Sequence, residues 1–403
     1  MRGPTAVTGR RCAGRPLERT TLLRPRPRRT QHGGRTLGAG SAAVVLSLAL
    51  AGCGLLGEGA EDGDGSASSV GSQAAGIDCA KSGKVPGTGS SAQQNAMKHW
   101  IKEYEAACPG VRIAYNPLGS GAGGAQFLRG ATAFGGSDSP LRADEVELSK
   151  RVCEGGRAID LPMVGGPIAI GYDLPGVRDL VLDATTLAKI FDRRITAWDD
   201  PEIRRLNPGV ELPSLPVRPV HRSDDSGTTQ NFQAYLAGAA PDVWRHPPGK
   251  AWQGKGGASA SGSSGVASEV TSGFGAIGYF ELSFARARHI KTVSIDTGAP
   301  APVAPTPRTA SAGIAAARVA GNGKDLTLEF RHDSSTPGAY PIVQITYEIV
   351  CDKGNQKATL PALKSFLAHT SSEAGQKRLS RLHYAPLPES LAERVREVVS
   401  GLS

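Results

Sequence analysis

Residues 87–107 read Gly87-Thr88-Gly89-Ser90-Ser91-Ala92 and then Met97, Trp100, Ile101 and Tyr104 at i, i+3, i+4 and i+7. The first string is a glycine and hydroxyl loop, and the second is the apolar stripe of an amphipathic helix. Working outward, β-like runs and helical patterns alternate. Residues 111–115 predict a strand and 123–132 a helix. Leu161-Pro162-Met163-Val164 followed by Ile168-Ala169-Ile170 predicts a buried strand. Helix is expected over 185–198, ending near Asn207-Pro208-Gly209, then strand at 217–220 and helix at 228–237. Residues 256–265 read as a Gly/Ser/Ala loop, 276–279 as a strand, and 299–307 as a Pro-rich surface crossing. An apolar, β-branched run at 341–350 precedes helices at 362–369 and 387–399. Strands alternating with helices imply α/β layers.

The 403 residues suffice for two domains with proper cores, and a 39% hydrophobic fraction excludes a disordered chain. The formal charge of +9 resembles that of a nucleic-acid binder until it is located. Ten of the 46 bases, all Arg, fall in residues 1–52 beside a single acid, Glu18. The remainder holds 36 bases and 36 acids, so nucleic acid is not the expected partner.

The Arg-rich start leads into Ala42-Ala43-Val44-Val45-Leu46-Ser47-Leu48-Ala49-Leu50-Ala51, too short for a stable span and suited to a signal peptide. It ends at Leu50-Ala51-Gly52-Cys53, which resembles a bacterial lipobox, a signal whose cysteine is lipidated and becomes the new N-terminus. Residues 1–52 are therefore expected to be a lipoprotein signal peptide. Residues 53–76, rich in Gly, Ser, Ala and acids, are expected to be a flexible tether. The body would then sit outside the cytoplasm, anchored to the outer face of the membrane by Cys53. Beyond the leader four cysteines remain: Cys79, Cys108, Cys153 and Cys351. In an exported protein they predict two disulfides, with three possible pairings. No two are spaced for a zinc knuckle, and no metal is expected.

Three strings share one theme, glycines and hydroxyls just before a helix: residues 87–92, Gly119-Ser120-Gly121-Ala122-Gly123-Gly124, and Asp224-Asp225-Ser226-Gly227-Thr228-Thr229. Each taken alone is ordinary N-capping. Three together can converge on one tetrahedral anion, because helix N-termini carry unpaired N–H groups and partial positive charge. Arg222 can add a bidentate contact, with Asp224 as the ion-pair partner that orients it. Asp138, within Phe134-Gly135-Gly136-Ser137-Asp138-Ser139-Pro140, should repel an anion unless the ligand carries a proton that it accepts. Phosphate near neutral pH carries one; sulfate does not.

These strings, with Trp198-Asp199-Asp200, Gly275-Ala276-Ile277-Gly278-Tyr279 and Tyr384-Ala385-Pro386-Leu387-Pro388 in that order, resemble the phosphate-binding proteins of high-affinity phosphate ABC transporters. The resemblance implies a two-lobed α/β periplasmic-binding-protein fold of type II-like character, its lobes joined by two crossing strands. The crossings fall near Val164 and Pro341, giving one lobe of 77–164 plus 341–403 and another of 165–340. It implies the pairings Cys79–Cys108 and Cys153–Cys351. It implies ligand contacts from Ser91, the Ala92 N–H, Ser120, Asp138, Arg222, Ser226, Gly227 and Thr228. It also implies a monomeric, non-enzymatic receptor without a cofactor, which delivers inorganic phosphate to the transporter's permease subunits. The chain departs from the family pattern twice. Ser91-Ala92 stands where Thr and a large aromatic are usual, and 256–265 is longer and richer in Ser.

Rival readings have weaker signals. Asp225-Ser226-Gly227 and Asp296-Thr297-Gly298 match the aspartic-protease string but lie too close in sequence for one motif per lobe. There is no G-x-S-x-G elbow for a serine hydrolase, and no Walker A string. A sibling receptor for sulfate or molybdate is the remaining alternative, and Asp138 argues against both ligands.

Overall fold

The structure, a computed structural model, describes residues 76–332 and 335–403. The expected signal peptide, Cys53 and the tether up to residue 75 lie outside the described residues. The body opens with β1 (Gly83–Gly89), α1 (Gln94–Ala107), β2 (Val111–Asn116), α2 (Ser120–Leu128), β3 (Phe134–Ser137) and α3 (Ala143–Ser149). A long strand follows, β4 (Ala158–Tyr172), then β5 (Val181–Asp183), α4 (Ala184–Phe191), α5 (Pro201–Leu206) and β6 (Arg218–Arg222). Next come α6 (Gly227–Ala239), β7 (Ala258–Ala260), α7 (Gly262–Val270), β8 (Ala276–Glu281) and α8 (Leu282–Ala287). β9 (Lys291–Thr292), β10 (Ser294–Asp296), α9 (Pro307–Ala315), β11 (Arg318–Val319) and β12 (Leu328–Glu329) lead to β13 (Val343–Cys351). The chain closes with α10 (Leu360–Ser371), α11 (Glu373–Lys377) and α12 (Glu389–Ser400).

The main sheet runs β2-β1-β3-β13-β4-β8-β6-β7, with β9 also on β4. β4 explains how one sheet serves two lobes. Its residues 158–167 pair antiparallel with β13, and its residues 168–172 pair with β8. All fifteen of its residues are buried, and apart from Asp160 they carry no charged side chain, as suits a strand covered on both faces. β13 returns beside it, with Val343 opposite Pro167 and Cys351 opposite Ala158. Disulfides join Cys153 to Cys351 and Cys79 to Cys108. The first lobe's core stacks Trp100 and Tyr104 of α1 with Phe134 and Phe366.

Beyond the central pair β13 and β4 the strands are parallel: β1 with β2 and β3, and β6 with β7 and β8. Parallel strands deliver their following loops to one edge, where open α/β sheets bind ligands. The strings at 89–92, 137–138 and 222–227 are therefore all strand-end loops.

Four local expectations are corrected. The helix expected over 185–198 stops at Phe191, because Arg193 takes a left-handed φ of 61° and Asp200-Pro201 starts α5 afresh. The first helix begins at Gln94, after a turn. α2 spans Ser120–Leu128 instead of 123–132; its glycines read as loop on propensity but serve packing. A Cβ at Gly123 would lie 2.4 Å from the Gly136 carbonyl of β3. Residues 256–265 are not simply a loop: they form β7, pairing with β6, and the first turn of α7.

Candidate ligand-binding site

The site is assembled from five strand-to-helix turns, and each polar group in it has a local reason to be there. Ser120 opens α2, and Ser226 caps α6 with its hydroxyl oxygen, accepting from the Thr229 N–H at 3.2 Å. Gly262 and Ser263 open α7. Asp138 follows β3 directly, and Arg222 is the last residue of β6.

Ser120 Oγ is a pivot between the lobes. It accepts from the Asp138 N–H at 3.1 Å and from the Gly227 N–H at 3.0 Å. Gly227 has to be glycine for that approach, since a Cβ there would sit 2.7 Å from Asp138 Cβ and 2.8 Å from Ser120 Oγ. Thr228 Oγ1 donates to Asp138 Oδ2 at 3.0 Å, and Asn231 Nδ2 donates to the Asp138 carbonyl at 2.7 Å. A second bridge joins the loop before α1 to α7: Ser91 Oγ accepts from the Ser263 N–H at 2.9 Å. Behind it, Asn95 Nδ2 donates to Ser283 Oγ at 2.8 Å, Ser283 Oγ to Tyr384 Oη at 3.2 Å, and Tyr384 Oη to the Ala92 carbonyl at 2.6 Å. The Ala92 N–H is turned to Ser90 Oγ at 3.0 Å. The eight residues expected at the site fall on these loops, and the Asp138 and Gly227 N–H groups and the Thr228 hydroxyl find their acceptors within the set.

Three charged side chains sit among these dipoles. Arg222 is buried, with its side chain only 1% exposed, and binds Asp224 through Nε at 2.8 Å and through Nη2. Its Nη1 is buried without a hydrogen-bond partner, a donor that the protein does not satisfy. Burial alone would raise the Asp224 carboxyl, but its hydrogen bonds and the charge of Arg222 hold it below the ordinary value. Asp138 goes the other way. Burial raises it, against the pull of the Ser90, Thr346 and Thr228 hydroxyls and of Arg222.

Sequence reasoning missed Thr346, Ser90 and Ser263. Thr346 Oγ1 donates to Asp138 Oδ1 at 2.7 Å from a position 208 residues away, inside an apolar strand with no local signal. Ser263 had a signal, because Ser261-Gly262-Ser263 repeats the pattern of a glycine and hydroxyls before a helix. Among the described residues no cluster of three or more His, Cys, Asp or Glu is placed to hold a metal. The residues that a hydrolase would need fall on separate elements. His221 Nδ1 contacts the Arg222 carbonyl at 2.9 Å and its ring stacks on Trp252. Asp225 adjoins the start of α2, its carbonyl accepting from the Gly121 N–H, while Asp296 ends β10 in a separate two-stranded sheet.

Two lobes on a shared pair of strands, with a polar site at their seam, define a binding protein of the periplasmic type. A family model described as a PBP superfamily domain matches residues 64–373. Phosphate-binding protein PstS 3 of Mycobacterium tuberculosis (strain ATCC 25618 / H37Rv) is 41% identical over 342 residues, covering 84% of this chain and 92% of that relative. Phosphate-binding protein PstS 2 of the same strain is 40% identical over 343 residues, with the same shares. The chain belongs to the PstS family of phosphate-binding proteins. Its fold also matches a high-affinity periplasmic phosphate-binding protein (PfluDING) solved with phosphate, at a TM-score of 0.63 and 21% identity, covering 78% of this chain and 93% of the other.

Proposed function

We propose that this protein captures inorganic phosphate outside the cytoplasm and hands it to the permease subunits of a phosphate ABC transporter, without chemical change to the ligand. One observation carries the reading: a buried guanidinium with an unpartnered Nη1 and a buried carboxylate share a seam otherwise lined by hydroxyls and helix N-termini. Arg222 neutralises part of the anion and the helix ends supply the rest as fixed dipoles. Ser91, Ser120, Ser226 and Thr228 hydroxyls and the Ala92 and Gly227 N–H groups exchange their present partners for phosphate oxygens. Asp138 accepts the proton that phosphate retains. Asp224 keeps the guanidinium in plane. The lobes, 77–164 with 341–403 and 165–340, part and close about β4 and its partner crossing to admit and release the ligand.

In this reading the receptor is a monomer that needs no cofactor. Calorimetric titration of the body tests it: phosphate and arsenate, which both retain a proton near neutral pH, are expected to bind, and sulfate is not. Preferential binding of sulfate or molybdate would overturn the assignment.

The anchor belongs to the same proposal. Residues 1–52 act as a lipoprotein signal and 53–76 as a tether from lipidated Cys53. Among the described residues no helix is long and apolar enough to cross a membrane. Cys53→Ala is expected to move the protein from the membrane fraction to the medium in a fractionation assay, and retention in the membrane would refute the anchor.

A further inference from the structure

β13 carries a second acid into the interior behind the site. Thr346 and Glu348 are two residues apart and share one face of the strand. Thr346 donates to Asp138, while Glu348 is fully buried and neither of its carboxyl oxygens has a hydrogen-bond partner. The residues opposite Glu348 carry no charge: Leu161 on β4 and Gly136 on β3. The groups that face it are Gln93 from the turn before α1, Tyr115 from β2, and Asp138 beyond β3. No cation is among them. Glu281 of β8 faces Asp138 as well, and burial pushes it up to about 8.

The hydrogen bonds beside Glu348 leave an acceptor unmet. The Ser90 carbonyl can only accept, so Tyr115 Oη donates to it, at 2.8 Å. The Tyr115 oxygen therefore accepts from Gln93 Nε2 at 2.9 Å, and Gln93 Oε1 is left buried without a donor. An ionised Glu348 would have no cation to balance it and would set a second negative charge behind Asp138. A protonated Glu348 removes that charge and leaves Asp138 as the acid facing the anion. Burial, joined by the Asp138 charge, pushes the Glu348 carboxyl well above its ordinary range against the pull of the Gln93 amide, in accord with that arrangement.

We propose that Glu348 is a positioning residue that carries a proton in the ligand-binding form, and that its ionisation at alkaline pH weakens phosphate binding by setting a second charge behind the site. The inference rests on the phosphate reading above. Phosphate affinity measured from about pH 6 to about pH 10 in the wild type and in Glu348→Gln, which mimics the neutral acid, tests it. The ionisations of phosphate itself, of Asp138 and of Glu281 occur in both proteins, so the ratio of the two dissociation constants isolates Glu348. That ratio is expected to stay within about twofold near neutrality and to favour the variant by about tenfold or more at the alkaline end. A flat ratio, or a tenfold loss in the variant at neutral pH, overturns the proposal. Should the variant not fold, the infrared band of a protonated carboxyl in the wild type, tested by isotope labelling of glutamate, decides; its absence at neutral pH is equally fatal. If the wild type binds no phosphate at any pH, the parent reading fails instead.

Discussion

Asp138→Asn is expected to admit sulfate. In the wild type a bound sulfate would press an unprotonated oxygen against a buried carboxylate that already accepts from Thr228 and Thr346. That pairing has no hydrogen to share, and it costs several kcal/mol in a dry site. The amide presents a donor to the same oxygen, so sulfate affinity should rise by about 2 kcal/mol or more, roughly 30-fold. Phosphate affinity should fall less, by about 1 kcal/mol, because asparagine can still accept the ligand's proton through its carbonyl. Competition calorimetry reads both numbers, and unchanged rejection of sulfate would remove Asp138 from the selectivity argument.

The same substitution should change stability in the phosphate-free protein. Burial raises the Asp138 carboxyl in the folded state. Its contribution is fully present below the unfolded carboxyl's pKa and is lost as pH rises through the raised folded value. Above the unfolded carboxyl's pKa the raised folded value is therefore a net burden. Asp138→Asn should raise the phosphate-free melting temperature there and remove part of its decline with rising pH.

Arg222→Ala is expected to cost at least about 2 kcal/mol of phosphate binding, a loss of some 30-fold or greater. Two effects add. The anion loses the one guanidinium nitrogen that the fold leaves without a partner. Asp224 also loses the cation that holds its carboxyl low, leaving a half-buried negative charge near the seam. Arg222→Lys should recover little, since an ammonium cannot bind Asp224 through two nitrogens and still extend a third to the ligand. A calorimetric loss below about 0.5 kcal/mol for the alanine variant would mean that hydroxyls and helix ends bind phosphate almost unaided.

The legible parts of this protein were those written in short strings. Helix α1 shows in Met97, Trp100, Ile101 and Tyr104, and the loops at 119–124 and 224–229 show in their glycines and hydroxyls. Arg222 with Asp224, two residues apart, is a pair that the end of one strand keeps together. Where propensity and packing disagreed, the strings misled. The glycines of α2 are a close-packing surface against β3, and residues 256–265 become strand and helix because β6 offers them an edge to pair with.

By itself, then, the sequence determined the alternation of strands and helices, the loops that precede the key helices, and the residue types able to meet a protonated anion, because these are local properties of a few adjacent residues. Only the tertiary structure decided that Thr346 reaches Asp138, that Ser91 meets Ser263, and that Glu348 lies buried with no cation beside it. Those contacts join residues up to 208 positions apart, and strand pairing and lobe closure bring them together where no local pattern could.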